Sequence, residues 1–119
     1  MSLKNIMEGF GEELEDKVKA QDNLFTTSRK AITLSKQAVM AIHNDELGKA
    51  GEKLVEARKM LKEVENIQSS HKDLSPSISR VAYQEYTEAE ILYRLVETEK
   101  FPEPSELNVS TIPYLLGLA

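Results

Sequence analysis

Large apolar residues recur along the first third of the chain with a seven-residue period. Val18, Phe25, Ile32 and Val39 form one row, and a second reads Met7, Leu14, Gln21, Ser28, Ser35 and Ile42. Seven residues nearly complete two helical turns, so both rows fall on one side of a helix. No Pro interrupts residues 3 to 43. The pattern predicts one helix of about 40 residues, roughly 60 Å long at 1.5 Å per residue. A helix of that length needs several packing neighbours or another subunit. The polar middle of the second row (Gln21, Ser28, Ser35) either lets a partner helix come close or lines a wet surface.

Asn44, with Asp45 and Glu46 behind it, suits the start of a second helix. Leu47, Ala50, Leu54, Ala57, Leu61 and Val64 then follow at alternating spacings of three and four. This predicts a helix to about Ser69, folded back antiparallel because the connection is short. Its other face mixes Lys49, Glu52, Lys53, Glu56, Lys59, Lys62 and Glu63 and reads as a solvated surface. Residues 69 to 76 read as a loop, with Ser75 or Ser77 as a cap and Pro76 at the next helix's first turn.

The third helical pattern runs from Ile78 to Lys100, its apolar residues at Ile78, Val81, Ala82, Ala89, Leu92 and Val96. Helical spacing sets Glu85 and Glu88 side by side, on the same sector as Val81 and Leu92. Two carboxylates bordering an apolar stripe resist desolvation and repel each other. A hard cation such as Mg²⁺ would relieve both penalties. The alternative is that both bend to solvent or meet Arg80 and Arg94 on the same helix. Tyr83, Tyr86 and Tyr93 lie along this helix as core residues with hydroxyls reaching the surface, or as partner contacts. Beyond Lys100, Phe101-Pro102-Glu103-Pro104 cannot continue a helix. Thr111 reads as a cap before Ile112-Pro113-Tyr114-Leu115-Leu116, the start of a fourth helix, and residues 1–119 are expected to be the N-terminal part of a longer fold.

Composition narrows the chemistry. The chain has 119 residues, 6% of them aromatic and 29% charged, and no Cys. One all-α domain is expected, without disulfides or thiolate metal sites, as suits a cytoplasmic protein. No apolar run approaches the roughly 20 residues of a membrane span. Net charge is −5, which argues against a protein that coats nucleic acid over its whole surface. The charge is segregated, however. Between Arg29 and His43 stand Arg29, Lys30 and Lys36 with no acid, whereas residues 8 to 16 hold five. Gly9 and Gly11 lie in a helical pattern without a preceding strand, so they make no phosphate loop. His43 and His71 are helix-end or loop residues without ligand spacing.

Three stretches together resemble the translin family, and its Trax-type branch more than translin proper. Ser28-Arg29 with Ser35-Lys36 and His43 resembles the family's first long helix. Gln84-Glu85-Tyr86-Thr87-Glu88-Ala89 resembles the Trax-type acidic motif, and Ser110 to Ala119, with Pro113-Tyr114-Leu115-Leu116-Gly117-Leu118, resembles the segment leading into the family's next helix. The resemblance spans nearly the whole chain. It implies an all-α antiparallel bundle of about three long helices plus the start of a fourth, assembled into homo-oligomers or hetero-oligomers with a translin-like subunit. It also implies binding of single-stranded RNA or DNA, and Mg²⁺-dependent endoribonuclease activity in the complete protein. Glu85 and Glu88 map to metal-binding catalytic positions, and Arg29, Lys30 and Lys36 to nucleic-acid contacts. The family's third carboxylate would follow Ala119, so the site is expected to be weak in this chain. The second expectation is a non-catalytic nucleic-acid-binding or helical assembly subunit, in which the Glu pair is structural.

Overall fold

A computed structural model describes residues 2–99, and these form three helices and no strand. The helices are α1 (Leu3–His43), α2 (Leu47–Ser70) and α3 (Ser77–Glu99). The expected fourth helix, and the break at Phe101–Pro104, lie outside the described residues.

The first helix starts at Ser2, whose hydroxyl accepts from the Asn5 amide at 3.2 Å, which satisfies one of the donors left free at a helix start. Its far end departs from expectation. Asn44 closes α1 instead of opening α2, and Asp45 takes a left-handed φ of 62°. The Glu46 amide then reaches back to the Ala41 carbonyl at 2.8 Å, and the Asp45 amide to Ile42 at 3.1 Å. This pairing ends a helix through one left-handed residue, where a short polar side chain is tolerated. The turn reverses the chain within three residues. Glu46 precedes α2 without a side-chain cap.

Packing follows an up-down-up order. Ala38 and Ala41 of α1 meet Ala50 and Leu54 of α2 and Ala89 of α3. Ala31 meets Leu61 and Ala82, and Ala20 and Leu24 meet Val64 and Leu74. Numbers fall along α2 and rise along α3 as they rise along α1, so α2 is antiparallel to α1 and α3 parallel to it. On α2 the buried residues are Ala50, Leu54, Ala57, Leu61 and Val64, the stripe expected from spacing apart from Leu47, which is only partly buried.

On α1 the seam is shifted. Leu24, Ser28, Ala31, Ser35 and Ala38 are buried, whereas Val18 and Phe25 are half-exposed and Ile32 and Val39 lie at the edge. Of the two expected heptad rows, the polar one, Ser28 with Ser35, is central. The physical reason is proximity: α2 and α3 both press on α1, and small side chains let three axes converge. The buried row extends at alternating four- and three-residue steps back through Gln21, Lys17, Leu14, Phe10, Met7 and Leu3. Below Ala20 nothing covers it, and residues 2 to 19 are all exposed. The described residues extend over 77 × 27 × 17 Å, and the arm lies along the long axis.

Candidate nucleic-acid interface and acidic pair

Arg29, Lys30 and Lys36 are all exposed on α1. The outer side of the α1–α2 pair forms an open groove of about 890 Å³, walled by Phe25, Arg29, Lys30 and Leu34 from α1 and by Glu56, Lys59 and Met60 from α2. The Arg29 guanidinium carbon lies 5.8 Å from the centre of the Phe25 ring, within the range where an aromatic face attracts a cation. Two of the three expected basic residues therefore share one groove. Lys36 lies one to two turns further along α1 and does not line it. The floor is apolar (Leu34, Met60) and the rim basic (Arg29, Lys30, Lys59), with Glu56 the one acid among the lining residues. Such a surface fits a chain that carries both phosphates and flat bases.

Lys59 belongs to the face of α2 that spacing assigns to solvent. Only the antiparallel return of α2 sets it opposite Lys30, and no local pattern announces that.

The acidic motif sits elsewhere. Glu85 is half-buried on α3 and Glu88 is exposed, its Oε1 accepting from Gln84 Nε2 at 3.4 Å. The groove is walled by α1 and α2, so the acidic pair is not brought into it. Neither Glu forms an ion pair among the described residues. Arg94, one of the two cations expected to meet them, instead donates from Nε to Glu90 Oε1 at 2.8 Å. Among the described residues no group of three or more His, Asp or Glu is placed to hold a metal ion. Two carboxylates one turn apart do not complete a Mg²⁺ site, since that ion demands near-octahedral oxygen coordination.

The strongest polar network on α3 surrounds Glu90, a residue without prominence in the sequence. Arg58 Nε of α2 donates to the Tyr86 hydroxyl at 2.9 Å, and that hydroxyl donates to Glu90 Oε2 at 3.1 Å. Arg58 also approaches Glu90 directly at 3.6 Å. Tyr86, with Glu90 behind it, holds the Arg58 guanidinium even further above its ordinary range. Tyr86 and Tyr93 pack against the core clusters, and the Tyr83 hydroxyl reaches the Leu61 carbonyl at 3.4 Å. The tyrosines thus fasten α3 to α2. His43 ends α1 and His71 ends α2, both as helix-end residues. No described helix is long and apolar enough to cross a membrane. In comparisons with protein-family models, curated proteins and solved structures, nothing matches this chain.

Proposed function

We propose that this chain is a single-stranded nucleic-acid-binding module of a helical assembly, holding phosphates with Arg29, Lys30 and Lys36 on α1 and with Lys59 on α2. One observation carries this: α1 has no acid from Asn23 to Asn44, and that stretch lines an open groove with cations at its rim and Phe25 on its wall. Aromatic faces and basic rims are what a single strand needs, since every base has a stacking face and every linkage a negative charge. The resemblance to the translin family supports the same reading, with a cytoplasmic setting and either self-association or a translin-like partner subunit.

Fluorescence anisotropy with a labelled single-stranded oligonucleotide tests it. Four phosphate contacts predict a log–log salt slope of about −3 for a single strand. The Arg29→Ala/Lys30→Ala/Lys36→Ala variant is expected to flatten that slope to about −0.7, the share left to Lys59, and to weaken binding. A salt dependence untouched by the triple substitution overturns the assignment of this face.

The pairing of Glu85 and Glu88, one turn apart without a cationic partner among the described residues, favours a second reading for the complete protein. There the two would be metal-holding carboxylates of a Mg²⁺-dependent endoribonuclease. The complete protein should then cleave single-stranded RNA with Mg²⁺ or Mn²⁺ and lose cleavage on Glu85→Ala or Glu88→Ala. A complete protein that leaves RNA intact in both metals removes this reading while leaving the binding surface standing.

A further inference from the structure

The uncovered arm and the basic stretch of α1 are complementary to each other, yet they belong to one rigid helix and cannot meet within a molecule. The arm carries Glu8, Glu12 and Glu15, along with exposed Met7, Leu14 and Val18. The second half of α1 carries Arg29, Lys30 and Lys36, with exposed Phe25 and Met40. We propose that two copies pair through antiparallel α1 helices, each arm lying along the basic face of the other copy.

A single register aligns the flanking apolar and charged positions, with the two Asp22 carboxylates as the one like-charge pair, at the axis. With the two-fold axis beside Asp22, Val18 of one copy faces Phe25 of the second, and Leu3 faces Met40. In the same register Glu15 faces Arg29, Glu12 faces Lys30 and Glu8 faces Lys36, each within about one residue of direct opposition. Two-fold symmetry repeats every pair. Met7 and Leu14 fall against the aliphatic stems of Lys36 and Arg29, which can cover apolar surface while their charged ends reach the neighbouring acids. Gly11 falls opposite Ile32, and no side chain fills the space beside that glycine. At about 100° per residue Val18, Asp22, Phe25, Arg29, Lys36 and Met40 share the sector turned away from α2 and α3, while Leu3, Met7 and Leu14, on the continuation of the buried row, border it on one side and Glu12 and Lys30 on the other. The contact runs along roughly 60 Å of helix at 1.5 Å per residue. That length suits the area of a stable interface, about 800 Å² per partner.

This pairing does not rest on the nucleic-acid reading. It does use the same three cations, so the partner's carboxylates and a strand's phosphates are alternative anions for one face.

The chain has no Cys, so single cysteines report the register cleanly. In the full chain without nucleic acid, Asp22→Cys should cross-link to itself under mild oxidation, because position 22 sits at the axis. Met7→Cys should not, because its own copy lies near the far end of the contact. Equal cross-linking of both variants indicates a parallel pair and overturns the proposal. So does a monomer mass by sedimentation at about 100 µM, well above the range of specific association. Glu8→Lys/Glu15→Lys and Arg29→Glu/Lys36→Glu should each weaken the dimer about tenfold or more, since like charges then face each other. Mixing the two reversed variants should restore association as a heterodimer. All four positions are exposed, and an unchanged helical circular dichroism spectrum separates lost pairing from lost folding. Failure of the mixture to recover rules out the charge register.

Discussion

Ser28 and Ser35 stand one heptad apart, both fully buried on α1, yet their hydroxyls fare differently. The Ser35 Oγ donates to the Ala31 carbonyl at 2.8 Å, whereas the Ser28 Oγ has no partner. A buried hydroxyl without a hydrogen bond costs about 1–3 kcal/mol. Ser28→Ala is therefore expected to stabilise the fold by about 1 kcal/mol, and Ser35→Ala to change it little, both measured by urea denaturation. Tyr86 is the opposite case, since its hydroxyl links Arg58 to Glu90. Tyr86→Phe should cost about 1 kcal/mol, the net worth of a typical hydrogen bond. Tyr83 adds a spectroscopic sign. Burial, with Glu65 nearby, pushes its phenol above the ordinary 10.0. A raised folded value means stability is intact below pH 10.0 and falls as pH climbs through the folded value. Absorbance of tyrosinate should accordingly lag in the native protein and catch up in denaturant.

Among the elements, α2 was legible residue by residue, because its buried stripe is built of Leu, Val and Ala at unbroken three-four spacing. The first helix was legible as a helix but not in its facing. Val18 and Phe25 have the size that suggests a core, yet burial went to Ser28, Ala31, Ser35 and Ala38, since close approach selects small side chains over large ones. The acidic pair was legible as a pair and the basic run as a run. What no local pattern could supply was Lys59 across the groove, or Arg58 reaching Tyr86 and Glu90 between helices. Those depend on how antiparallel helices align. The base of the arm is fastened to the α2–α3 loop by Lys17 Nζ and Asp73 Oδ2, 2.9 Å apart. Gln21 adds a second tie, its side-chain oxygen accepting from the Ser75 amide at 3.1 Å. The Lys17 hydrogen bond, more than any other influence, holds the Asp73 carboxyl below its ordinary 3.8. Because that value is depressed on folding, the tie is present above pH 3.8 and is lost as pH falls through the folded value. Amide exchange around residues 17 to 21 should rise over that acidic window, and Asp73→Asn should remove the pH response.

At the scale of the molecule, the arm divides α1 into a supported half and an unsupported one. Isolated helices of such length are marginal in water, so residues 3 to 16 should open far more readily than residues 24 to 42. A second copy along the arm would change this. Hydrogen exchange in the arm should slow as protein concentration rises, while exchange in the bundle stays constant. Exchange independent of concentration across the whole of α1 would contradict a partner-supported arm.

Among the described residues, eight of the fourteen buried hydrophobic ones are Ala: Ala20, Ala31, Ala38, Ala41, Ala50, Ala57, Ala82 and Ala89. Each Ala withdraws little hydrocarbon from water, so closeness of the helices comes with modest transfer of apolar surface. Heat capacity follows apolar exposure on unfolding, ordinarily about 12–15 cal/mol/K per residue. This chain should fall below that range, with a correspondingly shallow denaturant slope. Its stability curve should then be flat, losing little on cooling and melting over a broad interval when warmed.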